Sequence, residues 1–173
     1  MPSQPSLRPF DVAVALRLLL VPGDRYEPLA SALATSTSAV HRAVARLQGS
    51  RLCQPGGRTI IKPAFREFLL HGLRYSFPAV LGPERDGIPT ATAHTDVARL
   101  VNGSGNARAM VWSKEGGTTR GVSLVPLFPG VLEVASRDAR MHELLAMVDA
   151  IRSGDDGVRT TVADAFASRW LAE

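Results

Sequence analysis

The chain has 173 residues, 45% of them hydrophobic and 21% charged, an ordinary balance for one large globular domain or one small domain with an extension. No apolar run approaches the roughly 20 residues that cross a bilayer, the opening MPSQPSLRPF lacks the order of a secretory signal, and the single cysteine, Cys53, excludes an internal disulfide. The net charge of +4 is uneven: residues 1–75 carry ten basic side chains against four acidic ones, a balance of +6. A cytoplasmic protein with no membrane segment is expected.

Residues 1–8 are rich in Pro and Ser and are expected to lack fixed structure. Asp11 stands near the start of a helical run, VAVALRLLL, that ends before Pro22-Gly23. Its Val12, Leu16, Leu19 and Leu20 are candidate core residues. Pro28 suits the first turn of a next helix, where its missing N–H costs nothing. Leu29, Ala30 and Leu33 share one face of that helix. The hydroxyl run Thr35–Ser38 follows, and such side chains cap free N–H groups at a helix start. A second helix is predicted from about Thr37 to Gln48, with Val40, Ala43, Val44 and Leu47 inward. The unit is a helix, a tight turn and a helix. Leu52–Gln54, Pro55-Gly56-Gly57 and Arg58–Ile61 then read as strand, turn and strand, a wing. Pro63 opens an amphipathic helix with the stripe Phe65, Phe68, Leu69 and Leu73.

From Ser76 to about Ser136 prolines and glycines interrupt the pattern. Ala98–Val101 closes a short helix. Ala109–Trp112 and Val122–Val125 are expected as short strands of a hairpin turning at Lys114–Gly117. No known fold follows for this section, which is open to three roles: an effector pocket, a partner-binding surface or a cover over the terminal helices. Those helices are clearer. Met141, Leu144, Leu145, Val148 and Ile151 form one stripe, and Val158, Val162, Phe166 and Trp170 another, separated by Gly154–Gly157. The stripes pack either on the chain's own core or on a second copy. A homodimer is the expectation, since two-fold dimers are the commonest oligomers.

On the second helix the outward residues are Thr37, Ser38, His41 and Arg42, with Gln48 further on. A helix fits the major groove, its N-terminal residues nearest the base edges. Arg42 can read guanine or hold phosphate, and His41 can read a base. Ser36 and Ser38 can bond phosphates as well as cap the helix. Arg46, one turn later, is expected on phosphate. Gly57 lies in the wing turn and Arg58 just past it, where an arginine can reach phosphates or the minor groove.

The stretch LASALATSTSAVHRAVARLQGSRL resembles the bacterial winged helix-turn-helix regulators, broadly the MarR, IclR and GntR groups. The shared places are Leu29-Ala30, Leu33, Ser36, Ser38, Val40, Arg42 and Leu47, with Leu52 opening the wing. The usual glycine before that last position is Arg51 here, with Gly49 two places earlier. The resemblance covers about the first 75 residues. It implies a DNA-binding domain and says little of ligand or operator.

Other chemistry has weak signals. His41, His71, His94 and His142 are scattered, and His94-Thr95-Asp96 has no third ligand in sequence, so no metal is expected. Asn102–Asn106 is Gly-rich but lacks the ending of a P-loop. No nucleophile elbow and no paired carboxylates appear, so no cofactor, no catalytic residue and no enzyme activity are expected.

The expected fold is α+β, mainly α. A winged helix-turn-helix over 9–75 is followed by a dimerisation, effector or partner-binding region over 76–173. The expected function is a transcriptional regulator that binds double-stranded DNA as a homodimer. The alternative is an antitoxin-type protein, whose C-terminal region binds a partner protein while the winged helix autoregulates. An enzyme built around residues 90–125 is a third, weaker reading.

Overall fold

A computed structural model describes residues 6–101 and 108–172; the Gly-rich run Asn102–Asn106 lies outside them. Helices dominate, and one small three-stranded sheet makes the fold α+β, mainly α. The first helix, α1 (Pro9–Leu20), starts two residues before Asp11, with proline in its first turn. Asp11 accepts the Arg8 amide at 2.8 Å, which closes that turn. Val12 and Leu16 are buried as expected, whereas Leu19 and Leu20 are only half-buried.

Helices α2 (Tyr26–Ala32) and α3 (Thr37–Gly49) follow, joined by residues 33–36. Both end in the same way. Ala34 and Arg51 each stand two residues past the last helical turn with positive φ, 49° and 60°. After α2, Thr35 N–H donates to the Ala30 carbonyl at 3.0 Å and Ala34 N–H to Ser31 at 3.2 Å. After α3, Leu52 N–H donates to Leu47 at 2.9 Å and Arg51 N–H to Gln48 at 3.0 Å. These are Schellman caps, a motif that favours glycine where this chain has Ala34 and Arg51.

The expected pair of wing strands is reduced to a single antiparallel bridge, Cys53 to Ile60. Gln54 N–H to the Thr59 carbonyl and Ile61 N–H to Leu52, both 2.9 Å, flank it. Pro55 and the left-handed Gly56 turn the chain too soon for a longer ladder. The next helix runs as α4 (Lys62–Glu67), a π-helical turn (Phe68–Gly72) and α5 (Leu73–Ser76). Gly72 leaves room for the Phe68 ring, since a methyl there would lie 2.9 Å from it.

The middle section departs most from the sequence reading. Strand β1 (Leu81–Thr90) was not foreseen, because Pro83 and Pro89 argue against it. It pairs antiparallel with both β2 (Met110–Ser113) and β3 (Thr119–Leu124). Those two strands are therefore parallel to each other and do not form the expected hairpin. Residues 114–118 cross over β1 at Gly87, where backbones nearly touch. A methyl on Gly117 would lie 2.4 Å from Gly87, and one on Gly87 2.2 Å from the Trp112 carbonyl. Only glycine allows so short a crossover. A 3-10 turn (Ala91–Ala93), α6 (Thr95–Leu100) and α7 (Val131–Arg137) complete the section.

The terminal helices α8 (Ala139–Ser153) and α9 (Asp156–Trp170) pack on each other as expected. Asp138 caps α8 through the Arg140 and Met141 amides, and Asp155 caps α9 through Val158. Helix α8 is buried almost all round and touches α1, α5, α6, α7, α9, β1 and the 3-10 turn. Its stripe is therefore covered by its own chain. Of the two covers expected for this stripe, the chain's own core supplies it. Buried apolar residues from both halves of the sequence form one cluster.

Candidate nucleic-acid interface

Each residue of an α-helix turns the chain by about 100°. On α3 this puts Ser38, His41, Arg42, Ala45 and Gly49 on one arc, and all five are exposed. Val40, Ala43, Val44 and Leu47 fill the opposite arc and are buried. Ala45 and Gly49 are small, so the C-terminal half of the outward face is nearly bare. The N-terminal half carries His41 and Arg42, its bulkiest groups. Ser36 is the N-cap: its Oγ accepts from the Ala39 amide at 3.3 Å and lies 3.2 Å from the Ser38 hydroxyl. Thr37 is exposed on the first turn.

The three candidate arginines diverge. Arg42 is exposed, and among the described residues nothing holds its guanidinium. Arg46 turns the other way. Its Nε donates to Asp11 Oδ2 at 2.7 Å and a terminal nitrogen to Oδ1 at 2.6 Å, a bidentate pair that ties α3 to α1. This hydrogen bond raises the Arg46 pKa further above its ordinary value. Asp11 is wholly buried, so Arg46 neutralises a charge that would otherwise be stranded. Arg58 also turns inward. Its Nε donates to the Asp24 carbonyl at 2.7 Å, and its guanidinium lies 4.8 Å from the Tyr26 ring centre. Gly57 and Gln48 meet each other, since the Gln48 side-chain amide donates to the Gly57 carbonyl at 2.7 Å. Gln48 and Arg58 thus fasten the turn over residues 54–58 to α3 and to the loop before α2.

Sequence reasoning missed Tyr26, Asp24 and Asp11 as parts of this surface. His41 stacks on Tyr26 with ring centres 3.5 Å apart and planes at 21°. Tyr26 opens α2, far from His41 in sequence, and no local pattern links them. For Asp11 the one available signal was its place three residues after Arg8, the spacing of a capping pair.

Among the described residues no group of three His, Cys, Asp or Glu side chains gathers. His94 and His142 do meet, ring centres 4.5 Å apart, and His142 Nε2 lies 2.9 Å from the Pro89 carbonyl. Burial lowers the pKa of both. Nearby, Asp149 accepts from Thr90 at 2.8 Å, Trp112 at 2.7 Å and Arg152 at 2.8 Å. Arg152 also donates to the Phe77 and Pro78 carbonyls. This node is enclosed and fully bonded, which is the arrangement of a structural latch. Burial raises the Cys53 thiol above its ordinary value and keeps it protonated. Among the described residues no helix is long and apolar enough to cross a membrane.

No protein-family model matches this chain, and no curated protein or solved structure matches it.

Proposed function

We propose that residues 9–75 act as a winged helix-turn-helix that binds duplex DNA and regulates transcription in the cytoplasm. One observation carries the reading: the exposed N-terminal half of α3 presents Ser38, His41 and Arg42 above a buried opposite face, with Arg42 unengaged among the described residues. Arg51, just past the end of this helix, and Arg25, just before α2, are both exposed and add charge for a phosphate backbone. In this reading Arg42 contacts a base or a phosphate, and Ser36, Thr37 and Ser38 contact phosphates near the helix start. Arg46 and Arg58 support the surface from behind. A gel-shift titration on genomic duplex fragments at several salt concentrations tests it. Affinity should fall steeply with salt, because bound arginines displace counterions. Arg42→Ala should reduce discrimination between preferred and random duplex by roughly 1–3 kcal/mol. Absence of binding even at low salt overturns the reading.

A further inference from the structure

The contact between His41 and Tyr26 assigns a role that neither residue shows alone. His41 lies on the outward arc of α3, exposed and flat against a tyrosine from another helix. Tyr26 carries Arg58 within 4.8 Å of the same ring, and Arg58 is itself anchored to the Asp24 and Gly23 carbonyls. Three separate segments therefore meet at one aromatic ring: the start of α2, the second turn of α3 and the end of the wing turn. A surface histidine ordinarily samples several rotamers, and immobilising a side chain on binding costs affinity. Here that freedom is restricted before any ligand arrives. Among the described residues the Tyr26 hydroxyl has no hydrogen-bond partner, so the ring is what acts.

We infer that Tyr26 is a positioning residue, a platform that presets the His41 imidazole edge for base recognition in duplex DNA and holds the wing turn through Arg58. This rests on the DNA-binding reading above. It adds that sequence discrimination comes from His41 as well as Arg42, and that Arg58 acts on Tyr26. The geometry suits the task. A stacked ring leaves its nitrogen-bearing edge free, and an imidazole can accept from or donate to a base edge in the major groove.

The test uses the full chain and a pool of random-sequence duplexes. Selection by the wild type comes first; if no sequence is enriched, the DNA-binding reading itself fails. With an enriched sequence in hand, the ratio of its affinity to that of the starting pool is measured for Tyr26→Leu, His41→Ala, the double variant and Tyr26→Phe. Each of the first two should lower the ratio about tenfold, the scale of one lost base contact. The double variant should lower it no further, because the two residues act as one unit. Tyr26→Phe should keep the wild-type ratio. Losses that multiply in the double variant overturn the inference. So does a Tyr26→Phe that falls as far as Tyr26→Leu, since the hydroxyl would then be the contact. If Tyr26→Leu does not fold, proton NMR of the wild type and of Tyr26→Phe decides the geometry. The His41 ring protons should be shifted upfield by the stacked ring in both proteins, and ordinary free-histidine positions overturn the platform.

Discussion

Asp11 and Asp149 are both buried carboxylates gripped by an arginine, yet they sit in opposite settings. The Arg46 side chain on Asp11 is 19% exposed and stands at the edge of α3. It ties two helices together and leaves the neighbouring arc of α3 free. The Arg152 side chain on Asp149 is 4% exposed, and Thr90 and Trp112 close the remaining sides. That node lies inside the chain, where α8 meets β1 and β2. The difference teaches where this protein keeps its options. In the first 75 residues buried charge supports an open surface. In the remainder it locks strands and helices to one central helix.

The closed node should give the largest effect. Asp149→Ala strips a partner from Arg152, Thr90 and Trp112 together and leaves a buried cation. A loss of ~3–5 kcal/mol is expected, read as a lower urea midpoint. A loss under about 1 kcal/mol, the scale of an exposed pair, would show that water reaches the node and would break the comparison.

The open node comes next. Arg46→Ala strands the Asp11 carboxylate, but water can reach part of the gap. A loss of roughly 2–3 kcal/mol is expected. Arg42→Ala, only four residues away, should leave stability within about 0.5 kcal/mol, as for other unengaged surface residues. Matching losses from the two would mean that Arg42 also carries structure, and the division of α3 into a supporting and a presenting side would fail.

Acid should find the C-terminal region first. Burial holds His94 and His142 below the ordinary 6.5, so the folded form disfavours their protonation. The unfolded chain takes up those protons first. Stability is therefore full above the ordinary value and declines as pH falls from there through the folded values. Among the described residues His94 Nδ1 is buried without a partner, so none of them accepts a proton placed there. Differential scanning calorimetry between about pH 7.5 and 5 should show a falling melting temperature. The double variant His94→Gln, His142→Gln should flatten most of that fall. An equal fall in the variant would assign the acid sensitivity elsewhere.

The same contrast explains what the sequence made legible. Helices α1, α2, α3, α8 and α9 announced themselves because their signals are local: apolar spacing, Ser36 and the hydroxyl run before α3, and the Gly154–Gly157 run, of which Gly154 and Asp155 separate α8 from α9 while Asp156 and Gly157 begin α9. The outward arc of α3 followed from the same spacing. The roles of Arg46 and Arg58 did not, because their partners Asp11, Asp24 and Tyr26 are brought together only by folding. The sheet was the least legible part. Strand β1 carries two prolines, and a tight crossover at Gly87 replaces the hairpin that local turn residues favour. What covers the α8 stripe was illegible for a related reason. The sequence left the chain's own core and a second copy as alternatives, because the cover, drawn from α1, β1 and the 3-10 turn, has no local signature.

The smallest expected effect concerns the two helix ends that frame the proposed surface. Ala34 and Arg51 hold positive φ in Schellman caps, a region that disfavours any side chain with a Cβ. Glycine relieves that strain but widens the unfolded ensemble, so the two terms partly offset. Ala34→Gly and Arg51→Gly should each stabilise the chain by about 0.5 kcal/mol, seen as a small rise in melting temperature. The caps themselves should persist, because their hydrogen bonds are backbone to backbone. The pair separates stability from recognition. Ala34→Gly removes no charge and should leave DNA affinity unchanged. Arg51→Gly removes an exposed cation beside α3 and should weaken preferred and random duplexes alike, with a shallower salt dependence. If both variants gain stability and only Arg51→Gly loses affinity, Arg51 occupies a position that favours glycine because it touches phosphate. If neither loses affinity, its exposed charge plays no part in the surface, and the DNA-facing region narrows to the first half of α3.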